Sequence, residues 1–559
     1  MLLAFLLTLA ACRTPDPAAA DSGAGSGDGG AQDGGASGAL QPHLLPGPDE
    51  EGHDADLAAL ADLYDRQNLA INSSPFGLSL DAYFSEHAAV DAWLADGSGY
   101  SRDEFEAHSG ADLYDQVYFF GEIVDLGMFG GVGSVAEATR YALLRDGQAV
   151  GTDTVDAARQ RVERAMLALH MMATMPGEPG VLVRGLGPKE LPGVAGQEPI
   201  PLFDDQGNPQ PEDKGATWRE DFSGQYPDFL WLDDTSKDQW IGYVFALGMM
   251  WEVVADDPDI DADLKTALQD DARTMGLALQ RVNPDTGLDL TLFDADGRPT
   301  NHHDLSAREV EGVVSDELIN PFNATMALAG LTVFADISGD PDVAAFKDEV
   351  AFDRGYAEIV PNVGGVLYLY YLTNYSNVNM AFTALHTLLH FETDPDLVAL
   401  YRDAAVAAWA DGTDRAPWHF QAAYFDLLLA AYVPDADTDG LLTRVRADLS
   451  SFHTPPYWDD PVENCDEEEL TTGHCVGIDG VTEIDLYGSW EGDVFVPGEA
   501  RNAYPVATSY VPQSIRPASN FEWRSDPYRL NWTGTDGLYP GGDFRAAYWL
   551  GRYLRRPSQ

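Results

Sequence analysis

Lysine is nearly missing from this chain: it stands only at 189, 214, 237, 265 and 347, and Lys and Arg together number 32 against 92 Asp and Glu. The formal charge of −60 repels phosphate backbones and acidic bilayer faces, so nucleic acid and anionic lipid surfaces are poor partners. Cysteine is scarce too, at 12, 465 and 475 only. No Cys-x-x-Cys and no His-Glu-x-x-His occurs, which removes the common zinc frameworks. A phosphate-binding Gly-rich loop is lacking, as is Gly-x-Ser-x-Gly behind a strand. Alternation of apolar and polar residues, the mark of half-buried strands, is rare.

What is present starts with an apolar run, Met1 to Cys12, too short to cross a bilayer as a stable helix. Leu9-Ala10-Ala11-Cys12 resembles the bacterial lipobox, in which the cysteine is acylated and becomes the mature N-terminus, although no Lys or Arg precedes the run. Residues 13–50 are rich in Ala, Gly, Ser, Asp and Pro and bury too little surface to fold, which suits a flexible tether. The expected organisation is a signal at 1–12, a tether at 13–50 and one folded domain at 51–559. Arg13 after the cysteine implies no retention at an inner membrane. The expected address is an outer membrane or cell surface, with membrane contact through the lipid alone. Cys465 and Cys475 then remain as an even pair, and in an oxidising compartment their spacing favours a disulfide over a metal site that His474 could not complete.

The periodicity is helical almost throughout. Helical runs are expected at 56–71 and 80–94, then a pair at 112–129 and 134–144 with 154–175 behind it. Further along, Asp-Pro-Asp recurs at 257–259, 340–342 and 394–396, and an Asp cap followed by Pro at the first helical position starts a helix. Each is read as the bend of a helical hairpin: 236–255 with 260–281, 320–337 with 341–358, and 377–391 with 396–410. Residues 417–431 with 439–450 make a fourth. If hairpins stand side by side in a ring, the tight turns share one face and the long connections, 176–235, 282–319, 359–376 and 452–543, share the other, where a site belongs. Trp240, Tyr243, Val244, Leu247, Trp251 and Val254, with Ile241, Phe245 and Met249, make the helix after Ser236 apolar on nearly every side. Ser236 and Gln239 have the spacing of a capping box at its start.

Four segments in order, Gly180 to Arg184, Asp233 to Gln239, Asp294 to Thr300 and Ser376 to Asn379, resemble bacterial lipoproteins and secreted proteins of the six-hairpin, glycosidase-like (α/α) toroid group. Asp526-Pro527-Tyr528, Gly541-Gly542-Asp543 and Trp549 to Tyr553 are similar as well. The resemblance spans roughly 110–556 and implies an all-α toroid with its site on the long-loop face. Similar proteins often carry Trp-Gly after the Pro-Thr, where Asn301-His302-His303-Asp304 stands here.

A toroid acting on sugars would need a carboxylic acid and a second carboxylate flanking the glycosidic bond. Asp234 and Asp238, with Asp304, are the candidate catalytic acids; close carboxylates push their pKa values apart. Arg184, Trp231, Trp240, His302, Asn377 and Asn379 are the candidates to position a substrate. Trp231, Trp240, Tyr368, Tyr370, Tyr371, Tyr375 and Trp418 also offer the flat faces a sugar stacks on, or else core. His386 and His390, one helical turn apart, stay unassigned, and no cofactor or metal is expected. Two classes stay open: a glycoside hydrolase-like enzyme, and a non-catalytic glycan-binding or assembly lipoprotein in which the same acids brace loops.

Overall fold

The computed structural model describes residues 41–559 except 211–216, 311–312, 316–318, 414, 502, 520–525 and 558–559. Cys12 and the tether as far as residue 40 lie outside the described residues. The folded unit begins at Gln41 rather than at 51. Leu44 and Leu45 are buried, and their amides donate to Leu554 O and Gly551 O at the far end of the chain.

Six helical pairs make the frame. Helix α1 is Ala55–Gln67. Then come α2, Leu126–Arg145, with α3, Val155–Thr174, and α4, Lys237–Val254, with α5, Ala262–Ala278. They are followed by α6, Pro321–Ser338, with α7, Pro341–Asp348, and α8, Tyr375–Phe391, with α9, Pro395–Trp409. Helix α10, Ala423–Tyr432, pairs with α11, Thr438–Leu449, and α12, Gly542–Tyr553, returns to pack on α1. The even-numbered helices touch in cyclic order, α2 to α4, α6, α8, α10, α12 and back to α2, while the odd-numbered ones lie outside. This is an all-α toroid of (α/α)6 type, closed by joining the first helix to the last. Among the described residues, no helix is long and apolar enough to cross a membrane.

The inner helices are buried on almost every side because each has neighbours left, right and behind. Each outer helix carries the chain back, so all inner helices run the same way and their N-termini share the face of the long connections. The tight turns follow their chemistry: Asp340 caps α7 through Asp342 N at 2.9 Å, and Asp394 caps α9 through Asp396 N at 2.8 Å. At 257–259 the cap shifts downstream to Asp261, and Asp257 instead takes Asp259 N at 3.0 Å.

Of the expected pair at 112–129 and 134–144, residues 117–121 form a strand and 126–145 are one helix, α2. Gly127 and Gly131 let it continue by meeting α4 backbone to backbone: a Cβ on Gly127 would lie 2.5 Å from Gln239 O, and one on Gly131 3.0 Å from Gly242 O. Glycine here serves close approach, which outweighs its helix penalty. Residues 81–84 form a strand, so only 88–94 of the expected 80–94 run is helical, and that helix runs on to 96. Short strands also order the long connections. Strand β1, Gly185–Pro188, pairs with β3, Phe229–Leu232, which pairs with β2, Trp218–Glu220; β4, Thr291–Phe293, pairs with β5, Pro299–Asp304. The last connection has a small core of its own around the Cys465–Cys475 disulfide, with Ile484, Phe495 and Leu530.

Ring closure is electrostatic as well as apolar. Asp65 of α1 forms an ion pair with Arg140 of α2 at 2.8 Å and accepts from Arg545 of α12 at 2.9 Å, with all three side chains about 1% exposed. Arg545 also holds Glu137, and Arg140 and Arg161 share Asp153. Three acids meet three arginines, so the charge balances without water. Removing one member strands its partners: Arg140→Ala is expected to cost about 3–5 kcal/mol in denaturant unfolding. Lys189→Ala, which breaks an exposed pair with Glu220, is expected to cost at most about 1 kcal/mol.

Candidate functional site

The close approach of α2 and α4 places one side chain between their N-termini. Gln239, in the first turn of α4, accepts from Met128 N through Oε1 at 3.0 Å. Its Nε2 donates to Asp125 Oδ1 at 2.8 Å and reaches Asp238 Oδ2 at 3.3 Å. Asp125 precedes α2, so two carboxylates from two inner helices meet at one amide group. Arg184, held by its own amide on Leu232 O at 2.9 Å, closes the cluster. Its guanidinium donates to Asp234 O and Ser236 Oγ, both at 3.1 Å, and lies 3.5 Å from Asp125 Oδ1. The Ser236 hydroxyl donates to Asp238. The expected capping box is therefore not made: both residues that would cap α4 are turned to the acids.

Burial, and then the charge of Asp238, push the Asp125 carboxyl up to about 6, against the pull of Arg184 and Gln239. Two carboxylates this close resist ionising together. The pair therefore retains a proton well above the ordinary range, at a half-buried position.

Other expected site residues brace this cluster. Asp234 has a backbone φ of 59°, and its carboxylate accepts from Asn301 N at 2.7 Å and Asn301 Nδ2 at 2.6 Å, which ties the two connections together. Asp304 pairs with Lys237 at 3.1 Å and accepts from Asn323 Nδ2 at 3.1 Å. Both are buried. Asp233 forms a fully buried pair with Arg219 at 2.6 Å. His302 bridges Ser236 through its backbone, which keeps it beside the cluster. His303 turns away to Thr300 O and Glu309 at 2.6 and 3.1 Å.

Trp231 and Trp240, expected at a substrate, are core residues. Trp231 is fully buried with its indole N–H on Glu220 O at 2.6 Å. Trp240 lies against Gly330 of α6, where a Cβ would come within 2.1 Å of its ring. Asn377 accepts from Asn374 at 3.0 Å, and Asn379 is buried with neither amide atom bonded. His386 and His390 belong to the opposite face: Tyr432 Oη lies 3.1 Å from His386 and 2.6 Å from His390, which also bonds Glu252 of α4.

Asp125 and Gln239 as a hub were missed in the sequence. The available signal was an acid directly before a helix whose first two turns are apolar and glycine-rich, comparable to Asp238 in the first turn of its buried helix.

No family model and no curated protein matches the chain. Among solved structures, it is similar to a UGL variant with dGlcA-Glc-Rha-Glc, at 12% identity, 64% of this chain, 84% of that one and a TM-score of 0.29. It is similar also to the unsaturated glucuronyl hydrolase of Bacillus sp. GL1, responsible for the degradation of glycosaminoglycan, at 13% identity, the same coverages and a TM-score of 0.28.

Behind the cluster, Asp294 accepts Asp234 N at 2.8 Å and Ala295 N at 2.7 Å, yet burial and the charge of Asp233 push its carboxyl up to about 7. The folded chain thus holds this proton more tightly than the unfolded one. Stability falls as pH rises from near 4 towards 7, where the folded carboxyl must give the proton up. Thermal unfolding of Asp294→Asn should show less of this fall than the parent, so the difference between the two changes steadily across that window. A constant difference from pH 4 to 7.5 would contradict the assignment.

Proposed function

We propose that the chain is a lipid-anchored outer-membrane or cell-surface protein whose loop face hydrolyses glycosidic bonds. The observation that carries the reading is the Asp125–Asp238 pair, bridged by Gln239 and flanked by Arg184. Glycoside hydrolysis asks for one carboxyl that holds its proton near neutral pH and one that stays ionised. Asp125, raised to about 6, has the first property. Asp238, which accepts from the Ser236 hydroxyl and from Gln239, is the second carboxyl of the scheme. In this scheme Asp125 protonates the leaving oxygen as the glycosidic C–O bond breaks, Asp238 stabilises the positive charge that grows on the sugar ring, and a solvent water then bonds to the ring carbon and returns its proton to Asp125. Gln239 is a positioning residue that sets the distance between them. Asp234 and Asp304 are braces rather than reacting groups, since their oxygens are taken up by Asn301, Lys237 and Asn323.

The other class, a glycan-binding or assembly lipoprotein, draws on the same bonds, because the Arg184–Asp125 contact also ties the connection before β1 to α2. Kinetics on a polysaccharide panel separates the two. Asp125→Asn and Asp238→Asn should each lower kcat at least about 100-fold with little change in KM. Parent activity should decline as pH rises through about 6, where Asp125 gives up its proton. No turnover on any glycan, with binding unchanged in Asp238→Asn, would leave the non-catalytic reading.

A further inference from the structure

The loop face carries an aromatic ledge that the acid pair does not use. It is built by the connection entering α8. Tyr370 is 51% exposed and sits at a φ of 58°, where a side chain with a Cβ is strained. Tyr371 stacks on Tyr487 of the last connection with centroids 4.2 Å apart, and Tyr370 meets both rings edge-on at 6.1 and 6.3 Å. Burial cannot be what selects a strained backbone that holds a large ring in solvent. Strain of this kind gathers at ligand clamps. Flat apolar faces edged with hydroxyls match the faces of pyranose rings.

Charge narrows the ligand. Around this face four cations already carry acids: Arg184 with Asp125, Lys237 with Asp304, Arg219 with Asp233 and Arg298 with Asp296. Arg415, next to the ledge, lies flat over Tyr528 at 3.7 Å and reaches Tyr370 at 6.0 Å. Tyr528 in turn stacks on Tyr375, whose buried hydroxyl has no hydrogen-bond partner among the described residues. A chain of net charge −60 repels a polyuronate or a sulfated glycan.

We propose that Tyr370, Tyr371 and Tyr487 form a subsite that stacks against the sugar faces of an uncharged polysaccharide. The assignment rests on the glycan reading of this face and adds the charge class of the substrate and the residues that hold it. Titration calorimetry on the full chain carrying Asp238→Asn, which binds without turnover, tests it. The ligands are neutral hexaoses (cello-, xylo-, manno- and malto-) and a hexauronate. At least one neutral hexaose should bind and the hexauronate should not. Adding Tyr370→Gly should weaken neutral binding about ten-fold. Glycine suits the left-handed backbone, so this variant should melt no lower than its parent. Tyr487→Ala should weaken binding to a similar degree. Unchanged neutral affinity in Tyr370→Gly, alongside intact turnover when Asp238 is restored, overturns the ledge alone. Tighter binding of the uronate than of any neutral sugar overturns the charge class. No binding of any glycan overturns the ledge and the glycan reading together.

Discussion

The buried contact of Asp65 with Arg140 and Arg545 is the constraint on which the rest depends, because it joins the first inner helix, the last inner helix and the helix outside them. A ring of parallel helices has no sequence-adjacent contact at its seam. Here the seam lies between chain ends hundreds of residues apart, and it is fastened by a buried network of opposite charges. Ion pairs of this depth contribute little net energy against an apolar replacement, but a mismatched one is costly. That asymmetry fixes which helix meets which, and with it the register of α2, the helix that carries Asp125 at its head.

From the seam the logic passes to α4. Glycines at 127, 131 and 242 bring the α2 and α4 backbones into contact, and at that separation Gln239 spans from one N-terminus to the other. The carboxylates of Asp125 and Asp238 are consequently closer than either would stand if solvated alone. The raised value of Asp125 follows from geometry that begins at the opposite side of α2. Around the pair, the strongly acidic composition is spent on bracing: Asp234, Asp294 and Asp304 each tie one long connection to another or to a helix start, and Asp233 fastens its own connection through Arg219. Few of those acids are free to react.

The toroid was legible because its inner helices are apolar all round and its tight turns carry Asp-Pro caps, both local signals. The buried helix after Ser236 and the turns at Asp340 and Asp394 follow directly from residue order. Residues 112–144 misled because glycine is read locally as a breaker, whereas its use at Gly127 and Gly131 depends on a partner helix over a hundred residues away. Asp238 was visible as an acid at the mouth of a buried helix. Asp125 has the same local form, but its pairing with Asp238 is a tertiary fact. Trp231 and Trp240 failed as substrate residues for a related reason: an aromatic beside a polar loop looks the same in sequence whether Gly330 or solvent receives its face. The roles of Asp234 and Asp304 likewise turn on partners, Asn301 and Lys237, whose approach the chain order does not reveal.

Asp125 keeps a proton near pH 6 because it is buried beside Asp238. Infrared difference spectroscopy of the full chain between pH 5 and pH 8, parent minus Asp125→Asn, reads that proton directly. The account predicts a protonated-carboxyl band that is lost with a midpoint near 6 in the parent, shifts to lower pH in Asp238→Asn, and is missing from Asp125→Asn. A parent spectrum with no carboxyl band assignable to Asp125 above pH 5 would contradict it.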